Sequence, residues 1–413
     1  MQKTILPGKL NGKLRAIPSK SQAHRLLICA ALSDNSSEIY CPVLSKDITA
    51  TAECLRALGA KIDYSSGTFS VIPAGYIDYT ERDNAANAAS DYAELDCGES
   101  GSTLRFLLPV VCALGKKAHI KMHGRLPERP LSPLWEELCA HGSRLVKEGD
   151  TITVSGKLEP GSYSIAADIS SQFISGLLFA LPVLHESSTL QLTGKIESEG
   201  YISMTRRAQQ VFSIAPVYED KRFIIDKNQS YHSPGEVAVE GDWSNAAFWI
   251  AADSLGSSIE VTGLDTDSLQ GDKAVTEAVD RIRKGDAVID CSNIPDLVPI
   301  LAVTASVSPG MTRFVNAGRL RIKESDRLKT VHAMLAALGG DCTETEDGLI
   351  IKGREQLTGG TVDGANDHRI VMSAAIAATV CRGPVNVLGV EAADKSYPDF
   401  WSDYASLGGC FNE

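Results

Sequence analysis

Hydrophobic positions along the chain fall into two patterns that take turns. The first is a stretch of helical spacing, a glycine stop, then two short alternating stretches around a turn. It appears as TAECLRALGAKIDYSSGTFSVI from Thr51, PLWEELCAHGSRLVKEGDTITVSG from Pro133 and TVHAMLAALGGDCTETEDGLIIKG from Thr330. Apolar residues at three- and four-residue steps predict an amphipathic helix, and period-two alternation after it predicts half-buried strands. Gly59, Gly142 and Gly339 stand where a helix end favours a left-handed residue. Weaker copies are RRAQQVFSIAPVYEDKRFIID and AVDRIRKGDAVIDCS, and a truncated one, SDYASLGGCFNE, lies at the C-terminal end.

The second pattern is a short polar motif opening onto an apolar run. It occurs as SKSQAHRLLICAAL, CGESGSTLRFLLPVV, SSQFISGLLFALPVL, GDWSNAAFWIAA, IPDLVPILAVTA and NDHRIVMSAAIAATV. These runs are apolar nearly all round, which predicts buried helices, with Trp243 and Trp249 as core residues. With Ser19, Ser100, Ser170, Ser244, Asp296 and Asp367 as markers, the steps are 81, 70, 74, 52 and 71 residues. That spacing describes six supersecondary units. The truncated last unit predicts that the N-terminal strand TILPGKL completes the domain from the other end of the chain. Three units per domain give two domains, 15–228 and a discontinuous one of 1–14 plus 229–413, with polar, turn-rich DKNQSYHSPGE at the crossover. The expected class is α/β or α+β with buried helices.

Composition narrows the partners. The balance of 40 basic against 52 acidic residues, a net charge of −12, is a poor footprint for nucleic acid. Any affinity for anions has to be local. The ten cysteines include no C-x-x-C pair and no Cys/His cluster at metal-ligand spacing, so Cys29, Cys54 and Cys112 read as reduced core residues. MQKTILPGKL has no apolar signal region, and runs such as LLFALPVL are far short of the ~20 residues of a membrane span. A cytoplasmic protein is expected.

Candidate chemistry lies at the starts of the apolar helices. A helix N-terminus exposes unpaired N–H groups and partial positive charge, so six such ends can bind anions together. Plain capping accounts for one serine per helix, but not for Lys20, Arg25, Arg105, Arg129, Arg327 and Arg369 beside the same junctions. RLRIKESDRLK, 319–329, is the most charged of these junctions. RLRIK alternates as a half-buried strand does, and from Ser325 onward Leu328, Val331, Met334, Leu335 and Leu338 follow helical spacing, with Ser325 or Asp326 as cap. Lys323 and Arg327 are like charges four apart, which a solvated helix avoids. Glu324, flanked by cations, is expected to stay ionised and to be available as a base.

Ten motifs in order, PSKSQAHR, LDCGESGSTLRF, LPERP, SSQF, the segment from Tyr201, EGDWSNAAF, IPD, RIKESDRL, NDHR and DKSYPDF, resemble the enolpyruvyl transferase superfamily over nearly the whole chain. The match is closest to its EPSP synthase (3-phosphoshikimate 1-carboxyvinyltransferase) branch. The resemblance implies a two-domain inside-out α/β barrel of six βαβαββ-type repeats, three per domain, with the active site in the interdomain cleft. It implies transfer of the enolpyruvyl group of phosphoenolpyruvate to the 5-hydroxyl of shikimate 3-phosphate by addition and elimination. No cofactor or metal is implied, and the family is usually monomeric.

The resemblance also assigns residues. Lys20 corresponds to the lysine that contacts both the phosphate of phosphoenolpyruvate and the attacking hydroxyl. Gly101, Arg129, Gln172, Arg327, Arg369 and Lys395 match the phosphoenolpyruvate site. Ser21, Arg25, Ser170, Ser171, Gln172, Ser198, Tyr201, Arg319 and Lys323 fall at positions that hold shikimate 3-phosphate. Asp296 matches the carboxylate that takes the hydroxyl proton, and Glu324 the residue that handles the methylene proton. Simpler roles stay open: Asp296 as a helix cap, Tyr201 as a packed aromatic, Lys395 as a solvated lysine. Glu99, Arg319 and Gly200 depart from the residues common in the family (Asn, Asn and Pro). UDP-N-acetylglucosamine enolpyruvyl transferase is the alternative, but GRLPERP lacks the loop cysteine that many of those enzymes carry, the nearest being Cys139. A non-catalytic anion binder is a third possibility, one that has no need of the carboxylate pair.

Overall fold

The structure, a computed structural model, describes residues 1–74 and 92–412. The chain forms two compact units, one of Met1–Ser19 with Glu240–Glu413 and the other of Lys20–Val239.

One topology recurs. In the sheet built from Ala93–Asp96, Ala118–Lys121, Thr151–Gly156 and Ser143–Glu148, the first pair is parallel and the next two pairs are antiparallel. Four more four-stranded sheets share this order and these strand directions. A parallel pair needs a crossover, and the apolar runs supply it as helices. Lys20–Ala31, Gly101–Leu114 and Ser171–Ala180 lie in one unit; Trp243–Ser254, Val298–Ser306 and His368–Ala377 lie in the other. Every residue of Val298–Ser306 and of His368–Ala377 is buried. The strands bury only alternate residues, as in Ser37–Tyr40, so helices form the inside and sheets the outside. That arrangement is the inside-out α/β class. Trp249 is fully buried, and Cys29, Cys54 and Cys112 are buried free thiols. Gly59, Gly142 and Gly339 take φ of +110°, +90° and +79°, the left-handed side that a helix stop favours. Among the described residues no helix is long and apolar enough to cross a membrane.

The chain's two ends meet in one sheet. Gln2–Ile5 pairs antiparallel with Val385–Leu388 and with Phe411–Asn412, so the N-terminal strand completes the truncated last unit as expected. Two other strands are exchanged between repeats. Asn11–Arg15, which precedes Lys20–Ala31, pairs with Ser258–Thr262, whereas Glu236–Ala238, which precedes Trp243–Ser254, pairs with Ser37–Tyr40. This exchange puts the boundaries after Ser19 and Val239, 5 and 11 residues beyond 14 and 228. Ala16 and Ser19 donate backbone hydrogen bonds to Thr262 and Glu240, which ties them to the first unit.

Two expectations are corrected. AVDRIRKGDAVIDCS is not followed by a hairpin of its own: after the helix Val275–Arg283, Ala287–Asp290 pairs in parallel with Met311–Val315 as the entry strand of the next sheet. The missing hairpin is what shortens the fourth step to 52 residues. RLRIK is not a strand. The strand ends at Val315, Asn316 turns left-handed at φ +56°, and Gly318–Ile322 is a 3-10 turn. Arg321 stabilises that turn by donating to Glu344 at 2.6 Å and to the carbonyl of Thr345 at 2.7 Å.

Candidate active site

In the unit of Met1–Ser19 and Glu240–Glu413, polar side chains converge on one buried guanidinium. Asp326 caps the helix Arg327–Ala337 by accepting from the amide of Lys329, which sets Arg327 at the first helical position. Arg327 is 1% exposed and holds three carboxylates: Asp296 at 2.6 Å, Glu324 at 2.7 Å and Asp367 at 2.8 Å. Lys323 reaches the same Asp296 oxygen at 3.5 Å. The like charges Lys323 and Arg327 are therefore brought together by a shared carboxylate. Asp296 sits inside the 3-10 turn Pro295–Leu297, whose N-cap position is Ile294, while Leu297 holds the N-cap position of Val298–Ser306. Burial alone would raise its pKa, but Lys323, Arg369 and Arg327 outweigh burial and hold it well below the usual carboxylate range. Burial lowers the pKa of Lys323, an effect Asp296 only partly opposes.

Asp367 caps His368–Ala377 by accepting from the Arg369 amide at 2.9 Å, and it accepts from Ser325 at 2.9 Å. Arg369 donates through Nη1 to the carbonyl of Ser244 at 2.8 Å. The Ser244 hydroxyl donates to Asp272, whose carboxyl burial pushes up to about 7. Lys395 is buried rather than solvated and donates to the Asn366 carbonyl at 2.6 Å. Arg319 donates to the Ser292 carbonyl at 2.8 Å and lies close enough to Lys323 to disfavour its charge.

The unit Lys20–Val239 gathers mostly neutral groups. Ser170 caps Ser171–Ala180 through the amide of Gln172. The Gln172 side chain donates to Ser102 at 2.9 Å and accepts from Arg105 at 2.9 Å, which fixes it against the helix Gly101–Leu114. Gly101 opens Gly101–Leu114 under two guanidinium groups: a Cβ there would lie 2.6 Å from Arg129 Nη1 and 2.9 Å from Arg105 Nη1. A side chain there would have to push both guanidinium groups aside. Arg25 is buried and donates to Thr205 at 2.9 Å and to the carbonyls of Ser21 and Tyr201. Its guanidinium lies 5.9 Å from the Tyr201 ring, which is half-buried, so Tyr201 also packs. Ser198 is buried at φ +55°, just before Glu199–Val211, the helix in which Gly200 lies. Lys20 is 2.9 Å from Asp47. Glu99 packs against Gly124.

Sequence reasoning passed over Asp47 and Asp272 and used Asp367 only as a marker. A signal for the first two was present in the repeat. Lys20–Asp47 and Asp296–Lys323 are both separated by 27 residues, Ser244–Asp272 by 28 and Asn366–Lys395 by 29. Each pair joins the start of the buried helix to the next junction of its own repeat.

The comparisons agree with this frame. The family model described as "EPSP synthase (3-phosphoshikimate 1-carboxyvinyltransferase)" matches residues 6–404. A 3-phosphoshikimate 1-carboxyvinyltransferase of Clostridium kluyveri is 40% identical over 429 residues, covering 99% of this chain and 98% of that protein. One of Clostridium novyi is 40% identical over 433 residues, covering 99% of this chain and 98% of that one. Among solved structures, an EPSP synthase from Acinetobacter baumannii aligns over all of both chains with a TM-score of 0.78 at 21% identity. The enolpyruvyl transferase NikO from Streptomyces tendae gives 0.75 at 17% identity, covering 100% of this chain and 98% of that one, so the repeat fold outlasts most of the sequence. A family match spanning residues 6–404 and 40% identity over almost the full length place the chain in the EPSP synthase family.

Proposed function

We propose that the protein transfers the enolpyruvyl group of phosphoenolpyruvate to the 5-hydroxyl of shikimate 3-phosphate, giving 5-enolpyruvylshikimate 3-phosphate and phosphate, a step in aromatic amino acid biosynthesis. The observation that carries this is the pair Asp296 and Glu324 held on one buried guanidinium, in a chain of this family.

The chemistry needs a base at the hydroxyl, a proton donor at the methylene carbon, and cations for phosphate and carboxylate. Asp296 takes the hydroxyl proton while the oxygen attacks C2 of phosphoenolpyruvate, and Glu324, protonated in the loaded enzyme, gives its proton to C3. As the C2–O bond to phosphate breaks, Glu324 takes a methyl proton back and Asp296 passes its proton to the departing phosphate, which restores the C2–C3 double bond. The unloaded unit keeps Asp296 a weak base, since Arg327, Lys323 and Arg369 all stabilise its charge. An anion that draws those cations to itself raises the basicity of Asp296 at the moment a base is required. Arg327, Arg369, Lys395 and, in the other unit, Lys20 and Arg129 are the cations for phosphoenolpyruvate, with Gly101 and Gln172 in contact. Ser21, Arg25, Ser170, Ser171, Gln172, Ser198, Tyr201, Arg319 and Lys323 hold shikimate 3-phosphate. Catalysis in the cytoplasm by a monomer without cofactor completes the proposal.

The test is phosphate release from phosphoenolpyruvate with shikimate 3-phosphate or UDP-N-acetylglucosamine as acceptor. Turnover with shikimate 3-phosphate alone is expected. Turnover only with the nucleotide sugar reverses the assignment, and none with either removes the enzyme reading.

A further inference from the structure

Asp272 is a buried carboxyl for which the reaction above has no use. It lies in the 3-10 turn Gly271–Ala274, 1% exposed, against the helix Trp243–Ser254. One oxygen accepts the Ser244 hydroxyl, and the other is buried without a hydrogen-bond partner. Ser244 is gripped from its other side as well, because its carbonyl accepts from Arg369 Nη1 at 2.8 Å. Arg369 Nε is itself buried without a hydrogen-bond partner. Arg369 differs in this from Arg327, which three carboxylates satisfy.

We infer that Asp272 positions Arg369 through Ser244 and takes up a proton when an anion docks on that guanidinium. The inference rests on Arg369 being a phosphoenolpyruvate contact. The charged groups around Asp272 are Asp296 on the turn Pro295–Leu297, Asp242 at the cap of Trp243–Ser254, and Arg369. On Val275–Arg283, Glu277, Asp280, Arg281 and Arg283 face outward, and Lys273 turns away to the Thr266 carbonyl. Burial and two like charges therefore oppose ionisation, with only Arg369 and the Ser244 hydroxyl favouring it; the carboxyl is pushed up to about 7. An incoming dianion adds a further like charge and offsets Arg369. Both effects favour the protonated acid, and by reciprocity protonation of Asp272 strengthens anion binding.

The test compares KM for phosphoenolpyruvate in the wild type and Asp272→Asn between about pH 6 and pH 8.5, at saturating shikimate 3-phosphate. Asparagine keeps an acceptor for Ser244 and cannot ionise. The ratio of wild-type to variant KM cancels the substrate's own ionisation. It should be near one at low pH and rise to about fivefold at high pH, the scale of a modest coupling between sites. A ratio that does not change with pH overturns the inference, including a constant ratio above or below one, which is what a purely structural role gives. If the variant does not fold, the wild-type profile decides: corrected for phosphoenolpyruvate ionisation, KM must rise through a bend near pH 7, and a profile without one overturns the proposal. Wild-type enzyme that turns over yet shows a flat ratio removes only this inference, whereas absence of turnover removes the functional reading beneath it.

Discussion

The two units are built from one repeat and carry different chemistry at equivalent points. In Met1–Ser19 with Glu240–Glu413, the helix starts bring together Asp296, Glu324, Asp367, Lys323 and Arg327, five ionisable groups. In Lys20–Val239 the corresponding starts carry one ion pair, Lys20 with Asp47, beside Ser100, Ser170, Ser171, Gln172 and Thr103, with Arg25 and Arg105 bonded to hydroxyl, amide and carbonyl oxygens. Buried charge pairs change proton affinity by whole pKa units, whereas hydroxyls and amides rearrange their bonds at little cost. The difference fits the proposed roles, in which proton transfer falls to the first unit and most of the hold on a polyhydroxylated acceptor to the second.

The largest expected effect breaks the comparison if it fails. Glu324→Gln keeps the shape of the side chain and removes its proton chemistry, so kcat should fall about 10²–10⁴-fold. Calorimetric binding of shikimate 3-phosphate should stay within about threefold of wild type, since uniform binding is untouched. Equal losses in both would make Glu324 structural and take the proton-handling role from this unit.

Stability separates the units next. Asp367 and Arg327 are 0% and 1% exposed, so Asp367→Ala takes one of three carboxylates from a buried guanidinium together with the cap of His368–Ala377, and should cost about 3–5 kcal/mol. Lys20 and Asp47 keep 15% and 14% exposure, and Asp47→Ala should cost about 1 kcal/mol. Denaturant unfolding of both variants measures the difference. Equal losses would show that the two helix-start clusters are not energetically distinct.

Much of this was legible before any coordinates. The six apolar helices and the hairpins after Gly59, Gly142 and Gly339 follow from periodicity, because burial on all sides or on one side leaves different patterns. The strand exchange was not legible: Asn11–Arg15 and Glu236–Ala238 are ordinary short strands, and pairing partners hundreds of residues apart leave no local trace. RLRIK misled because its charged and apolar letters alternate while its burial does not: Leu320 is buried and Ile322 is exposed, as a structure with three residues per turn allows. The bonds of Arg321 to Glu344 and Thr345 hold that turn. The motifs located Asp296, Lys323, Glu324 and Arg327, but nothing in them says that one guanidinium joins three carboxylates. Asp47 and Asp272 became findable only once the repeat's internal offset was known.

Arg129→Ala tests the cationic part of the second unit. Its Nη1 stands over Gly101, so its loss should raise KM for phosphoenolpyruvate about 10–100-fold, as for one charge-assisted contact. The KM for shikimate 3-phosphate should move little. An unchanged KM for phosphoenolpyruvate would remove Arg129 from that site and leave Lys20 as the second unit's cation there, a sharper division than the one drawn above.

The smallest effect tests the neutral character of that unit directly. His24 is fully buried, and its Nδ1 lies 2.7 Å from Thr51 Oγ1. The chain of bonds continues from Thr51 to Thr103 at 2.7 Å and on to Ser100, the cap of Gly101–Leu114, at 2.7 Å. Burial, then Lys20 and Arg25, push the His24 pKa well below its ordinary value. The unfolded chain takes a proton at about 6.5 and the folded one does not, so stability is full above that pH and falls as the pH drops through it. Between about pH 7 and 5.5 this one group should remove about 1 kcal/mol. His24→Gln changes the absolute stability but abolishes that slope, so the pH-dependent loss measured by urea unfolding should shrink by the same amount. Parallel curves for variant and wild type would mean that His24 carries charge in the folded unit, and the contrast between an ionised cluster and a neutral one would fail at its best-buried point.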